Sequence, residues 1–416
     1  MTLYALLKSL DFERLTGTDG EKKATKIIKE YFKTLGIKPT IEPFELNGFE
    51  TGTANIAIGK KSWEATPFGL CGNAEVEGEL VYLENADILM HNPGRYEDKI
   101  VLFYHNSKRL YDLFEHTKVK AFIGISAPYK KAYSYSHRQK RADGLVIPAA
   151  MVRYDFAEQL IKLDGQKVKF TIRQKAEKKT GYNIVIDIKG KGHDDILTLM
   201  VGHYDSVARS HGASDNAGGT VCLLKAAEYF TRHQPARDVR IICFSGEELG
   251  LLGSFAYVKK HEEELKKRCR MVMNIDLAGD PIGRNAMMVL GTKELMGYAG
   301  GILKENGMLF DESLSIYSSD CMPFTPLEIP SLNIARMGGK ALYYIHTEDD
   351  KAKYVTQNGL EGPYKAAIAI MNRILNAEIY PVTKTIDDSL RDKIEAYLWQ
   401  SQLEKPELKW MEKYKK

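Results

Sequence analysis

Cysteine is scarce: Cys71, Cys222, Cys243, Cys269 and Cys321 are the five in 416 residues. An odd, scattered set excludes a disulfide-framed domain, and Cys222 and Cys243 sit inside apolar segments where a small buried thiol fits. Long apolar runs are missing too, since none approaches the ~18 residues of a membrane-spanning helix. The opening MTLYALLKSLDFERL is interrupted by Lys8, Asp11 and Glu13, so it lacks the apolar centre of a secretory signal. Nor does one sign of charge dominate. The 59 basic and 55 acidic residues leave a formal +4, which gives no case for nucleic acid or a membrane surface as partner. Repeats and low-complexity tracts are absent. A reducing cytoplasm is the simplest location for such a chain. Its composition, 44% hydrophobic and 27% charged, is that of a globular protein able to bury a sizeable core.

The length allows two domains, or one with an insertion. The stretch 18–36 carries apolar residues at helical spacing, Ile27, Ile28, Tyr31, Phe32 and Leu35, and stops at Gly36. IKPTIEPFEL follows as a strand, with Pro39 and Pro43 favouring a sheet edge. From about 66 to 176, short strand-like pieces (78–84, 99–105, 121–127, 147–152, 167–173) alternate with polar turns and helical segments at 109–118 and 154–163. This reads as a β-rich module inserted into a larger domain made of 1–65 and 177–416. Its loop AYSYSHRQKRADG (132–144) is basic and aromatic, either an exposed mobile loop or a lid facing substrate.

From 180 the pattern changes. NIVIDI (183–188), ILTLMVGH (196–203), VRIICFS (239–245), RMVMNIDLAG (270–279) and PSLNIA (330–335) are near-continuous apolar runs, as buried central strands are. Helical segments at 217–233, 252–267, 292–306 and 356–376 separate them. That order specifies an α/β/α sandwich with a mostly parallel central sheet. A charged helical tail begins near 385.

In open α/β sheets, ligands bind beyond the carboxyl ends of the strands. His203 and Asp205 follow one apolar strand, Glu247 and Glu248 follow another, Asp276 ends MVMNI, and Asp215 lies at the mouth of a helix. His346 comes after the aromatic stretch YYI. One histidine after a strand is usually structural, and a Glu–Glu pair is usually a solvated face. Here the pair is flanked by IICFSG and LGLLGS, too apolar for an ordinary charged surface. Carboxylates buried without a counter-charge are prohibitive, so a metal cluster is the cheapest explanation. Imidazole and carboxylate donors suit zinc, and the number of donors fits two ions that share a carboxylate and a water. A carboxylate that does not bind metal then serves as general base. Asp205, two residues from His203 in an extended segment, is placed to accept the second imidazole N–H.

HYDS (203–206), GASDNAGG (212–219), GEELGLLGS (246–254), NIDLAG (274–279) and IHT (345–347) resemble the co-catalytic di-zinc aminopeptidases of the transferrin receptor and glutamate carboxypeptidase II superfamily. RLTGT (14–18) is similar to that family's opening, and the likeness spans roughly 1–60 and 177–378. The resemblance implies that Asp215 bridges two zinc ions, His203 and Asp276 complete one site, and Glu248 and His346 the other. It also implies Glu247 as general base, Asp205 as the partner of His203, and a cis peptide after Asp215. The implied fold is that of the zinc-dependent exopeptidases. The inserted module looks like a protease-associated domain. Two positions depart from the pattern. Cys321 stands where the family often has histidine, and Tyr317 lies one residue from the place of an oxyanion-stabilising tyrosine; both are candidates for the substrate pocket.

The implied activity is that of a metallo-exopeptidase, an aminopeptidase acting on peptides. A carboxypeptidase of the same superfamily, a one-zinc glutaminyl-cyclase-like enzyme and a catalytically inactive receptor-like binding protein are the alternatives.

Overall fold

The computed structural model describes residues 1–106, 113, 117–137, 139 and 146–401. Two sheets organise them. The first strand, β1 (Thr40–Phe49), lies at the edge of the larger sheet, where Pro43 leaves no central ladder short of a donor. The next seven strands close into a barrel: β2 (Thr53–Ile58), β3 (Lys61–Pro67), β4 (Ala74–Asn85), β5 (Ile100–His105), β6 (Ala121–Ile125), β7 (Ala149–Val152) and β8 (Lys167–Arg173). Their order around the barrel is β2-β3-β7-β6-β5-β4-β8, and Ile56, Leu102, Ile123, Phe170 and Ile172 fill its core. A boundary at 66 falls inside β3. Both β2 and β3 are barrel strands, because β2 pairs with β3 on one side and with β8 on the other.

The chain then returns to the larger sheet through the long strand β9 (Ala176–Ile188), whose residues 176–185 pair antiparallel with β1. The remaining strands are β10 (Leu197–His203), β11 (Asp238–Phe244), β12 (Cys269–Ile275), β13 (Arg284–Leu290), β14 (Asp311–Leu314) and β15 (Ser331–Met337), in the order β1-β9-β11-β10-β12-β15-β13-β14. The central four, β11-β10-β12-β15, run parallel. Every residue of β10 is buried, which is why its sequence is a continuous apolar run rather than an alternation. Helices Asp19–Thr34, Gly218–Arg232, Leu252–Arg268, Lys293–Glu305 and Gln357–Asn376 pack on the sheet. Asp19–Thr34 shows the logic: Ala24, Ile28 and Phe32 form its buried stripe, Asp19 and Glu21 sit in the first turn, and Lys33 in the last.

Strands β13 and β14 were outside the expected set. β14 is the polar, part-exposed DESL, which carries no apolar signal. Residues 109–112 and 114–116 of the helix expected at 109–118 fall outside the described residues, as do the tail beyond 401 and 138 and 140–144 of the basic aromatic loop. The tail's beginning is helical, with an α-turn at Arg391–Glu395. Among the described residues no helix is long and apolar enough to cross a membrane, and all five cysteines are unpaired.

Phe230 on the Gly218–Arg232 helix is fully buried in the main core. Phe230→Ala is expected to cost about 3–5 kcal/mol, read as a lowered urea midpoint with an unchanged slope. A loss below about 1 kcal/mol would contradict the packing of this helix.

Candidate metal centre

Three neighbouring strands deliver side chains to one point at their carboxyl ends. His203 closes β10, Asp276 follows β12, and the turn after β11 carries Glu247 and Glu248. The bridge between the two sides is Asp215, on a π-type turn (Ala213–Ala217) that opens into the Gly218–Arg232 helix. That helix approaches β12 closely enough to require glycine. A Cβ on Gly218 would sit 2.2 Å from the Ala278 carbonyl, and one on Gly219 would sit 2.3 Å from that of Ile275. The Asp215–Asn216 peptide is cis. The Asn216 side chain donates to the Ile275 carbonyl (2.9 Å) and accepts from Gly219 and Leu277, stitching the turn to the end of β12.

The geometry is compact. His203 Nε2 lies 3.3 Å from Asp215 Oδ1 and 3.4 Å from Asp276 Oδ1. His346 Nε2 lies 3.1 Å from Asp215 Oδ2 and 3.3 Å from Glu248 Oε2. Asp215 therefore presents one oxygen to each imidazole. Three overlapping groups of donor atoms, each within 4.8 Å, result: His203–Asp215–Asp276, Asp215–Glu248–His346, and His203–Glu247–Glu248. Every residue expected at the metal centre is present there.

Asp205, completely buried, organises the near side. It lies 3.4 Å from His203 Nδ1, and its two oxygens accept the backbone N–H groups of Glu247 and Glu248 at 3.3 Å each. One carboxylate thus spans the imidazole and the glutamate turn. Thr16 adds a hydroxyl donor at 3.1 Å. Two contributors lie outside the set of residues expected at the site. Asp350, in the acidic run TEDD, accepts the N–H groups of Ser214 (2.8 Å) and Asp215 (3.1 Å), fixing the bridging turn from below. Arg14, within the noted RLTGT stretch, is a fully buried guanidinium that donates to the carbonyls of Tyr204, Leu10, Phe12, His211 and Gly212. It ties the N-terminal segment to both loops of the site.

The electrostatics are those of crowded acids. Burial raises the Glu247 carboxyl well above the usual range, with Glu248, Asp276 and Asp320 adding to it against the opposing His203. Burial likewise raises Glu248, although His346 opposes it. For Asp215 burial acts upward, yet hydrogen bonds with His203 and His346 outweigh it and hold the carboxyl low. Burial acts to lower both histidines, but Asp276 overrides it at His203 and Glu248 at His346, so both are raised. Burial pushes Asp320 and Asp350 up to about 7.

Among the described residues, no lysine or arginine forms an ion pair with any of these acids. Glu248 Oε1 is buried without a hydrogen-bond donor, and Asp276 Oδ1 has only the His203 ring at 3.4 Å. Buried carboxylate oxygens so poorly satisfied are costly, and a metal ion is what such atoms fit. Imidazole nitrogen with carboxylate oxygen is a zinc donor set, with histidine tautomers fixed by outer carboxylates such as Asp205.

Tyr317 donates its hydroxyl to the Asp276 carbonyl at 3.3 Å, which puts the ring beside the cluster. Cys321 is different. It is fully buried among Leu251, Leu290 and Met322, and its thiol contacts the Tyr317 carbonyl, so it packs behind the site rather than facing a substrate. A cavity of about 130 Å³ opens onto the Glu248–His346 side. Leu15, Phe49, Val207 and Leu249 form its apolar wall, and Ser134, Tyr135 and Ser136 of the barrel form the opposite one. The described part of the basic aromatic loop therefore faces the site.

Comparison with known proteins agrees with this geometry. The sequence pattern of Peptidase family M28 matches residues 183–371. The chain is 25% identical over 403 residues to Aminopeptidase YwaD of Bacillus subtilis, covering 91% of this chain and 85% of that protein. It is 25% identical over 284 residues to human Carboxypeptidase Q, covering 62% of this chain and 60% of that protein. In fold it is similar to BSAP, a zinc aminopeptidase from Bacillus subtilis, with a TM-score of 0.76, 22% identity and coverage of 93% and 98% of the two chains.

Asp205→Ala is expected to weaken zinc binding about 10–100-fold, measured by competition with a chromophoric chelator. Unchanged affinity would remove Asp205 from the orienting role.

Proposed function

We propose that the chain, whose residues 183–371 match Peptidase family M28 and which is similar to Aminopeptidase YwaD, is a zinc aminopeptidase with two metal positions that share Asp215. The observation that carries this reading is the division of the Asp215 carboxylate, one oxygen toward His203 and the other toward His346. His203 and Asp276 would hold one zinc with Asp215, and Glu248 and His346 the other. When bound, the metal pair supplies Lewis-acid polarisation of the scissile carbonyl and lowers the pKa of a water molecule.

The remaining work falls to the chain. Glu247 belongs to neither triad that contains Asp215, so its carboxylate is the group left to take the proton of the attacking water and return it to the leaving amine. Asp205 keeps His203 oriented while also anchoring the turn that aims Glu247. Tyr317, held against the Asp276 carbonyl, is placed to donate to the developing oxyanion. Its hydroxyl must first leave that carbonyl.

The choice of a free α-amine over a free α-carboxylate follows from charge. Recognition of a carboxylate calls for arginine, and none is among the described residues that line the cavity beside Glu248 and His346.

The barrel is proposed as a protease-associated-like module that narrows the choice of peptide, supported by its contribution of Ser134, Tyr135 and Ser136 to the cavity. Peptides are the proposed partners. A cytoplasmic location accompanies the proposal, supported by five unpaired thiols.

Matched peptides with free, N-acetylated and C-amidated ends test the reading. Cleavage abolished by acetylation and indifferent to amidation is the expected outcome, and the reverse pattern would reassign the chain to the carboxypeptidases. Glu247→Gln should lower kcat about 10²–10⁴-fold while zinc content is retained. Full activity in that variant would exclude Glu247 as base.

A further inference from the structure

We propose that the barrel segment 128–137 is a positioning element of the metal centre, holding His346 in place and so governing the Glu248–His346 metal position. The inference rests on the two-metal reading above. His346 follows the short helix Gly339–Tyr344 and has φ +59°, a left-handed conformation that a residue other than glycine adopts only at a cost. Surrounding contacts have to impose it.

The barrel supplies several of them, on both sides of the histidine. The Ser134 N–H donates to the His346 carbonyl at 2.9 Å. Three residues earlier in the ligand loop, the Tyr343 hydroxyl donates to the Pro128 carbonyl at 2.7 Å, and Lys130 lies 4.1 Å from the centre of the Tyr343 ring. Two residues later, Glu348 pairs with Lys131 at 3.1 Å. The segment that makes these contacts is itself fastened to the barrel. The Gly69 N–H donates to the Tyr135 carbonyl (2.8 Å), the His137 N–H donates to the Gly69 carbonyl (2.9 Å), and the Tyr133 N–H donates to the Ser126 hydroxyl (3.0 Å). A continuous hydrogen-bonded path therefore runs from the end of β3 to the backbone of a metal ligand.

The other metal position has no such dependence. His203 and Asp276 end β10 and β12 of the large sheet. The His203 carbonyl accepts from the Thr220 hydroxyl, the Asp276 N–H donates to the Ile334 carbonyl, and the Asp276 carbonyl accepts from the Tyr317 hydroxyl, all within the α/β domain. One position thus rests on the sheet and the Asp215 turn, and the other is completed by the barrel across the cleft. Displacing the barrel would disturb one position and spare its neighbour.

The test is a zinc titration of the full chain against a chromophoric chelator, comparing the wild type with the double variant Tyr343→Phe/Lys131→Ala. Neither residue touches the metal donors, and both changes are at partly exposed side chains. The wild type is expected to bind in two steps. The double variant should lose about tenfold or more in one step, keep the other, and melt at the wild-type temperature when metal-free. Lys131→Arg in place of Lys131→Ala should recover part of the loss. Glu248→Ala, which removes the affected position, should show the same remaining step with or without the double variant. Two unchanged steps, or two steps weakened in parallel, would overturn the inference and leave the aminopeptidase reading standing. A wild type that binds no zinc would overturn both.

Discussion

Crowded, buried negative charge is the constraint on which this molecule depends. The carboxyl ends of β10, β11 and β12 deliver His203, Glu247, Glu248 and Asp276 to one point, and the neighbouring turn adds Asp215. Burial, which normally stabilises a domain through apolar area, here works against the charged forms of Glu247 and Glu248. Folding the metal-free chain assembles this repulsion. Metal binding is thereby coupled to the stability of the carboxyl edge of the sheet.

The scaffold around that point reads as a set of answers to the repulsion. Asp205 and Asp350 are acids themselves, yet each is spent on backbone N–H groups, of Glu247 and Glu248 in one case and of Ser214 and Asp215 in the other. A nearby guanidinium, Arg14, is buried and turned toward carbonyls. It fixes the loops and leaves the carboxylates for an ion. Gly218 and Gly219 let the helix that follows Asp215 press against β12, which brings the bridging residue within reach of both imidazoles. Each of these serves geometry first and charge second.

Much of this was legible in the sequence, for a physical reason. Central parallel strands are buried on both faces, so β10, β11 and β12 stand out as apolar runs, and any acid or histidine at their ends is conspicuous. His203, Glu247, Glu248 and Asp276 declare themselves that way, and the five noted motifs add Asp215 and His346. The contributions that stayed hidden act through the backbone. Asp350 is indistinguishable in sequence from its neighbours Glu348 and Asp349, because what sets it apart is two N–H groups over 130 residues away. Strand β2 and most of β3 precede the boundary drawn at 66 yet belong to the barrel, because β2 pairs with β8 and β3 with β7, partners remote in the sequence. Cys321 was placed at the substrate pocket from its neighbours in sequence, yet its side chain turns into a small apolar core.

The central claim is that one carboxylate, Asp215, joins two metal positions. Anomalous diffraction at the zinc edge from crystals of the zinc-loaded protein addresses it most directly. The account predicts two peaks about 3.5–4 Å apart, one beside His203 and Asp276, one beside Glu248 and His346, with Asp215 between them. A single peak, or two peaks that do not share Asp215, would contradict it.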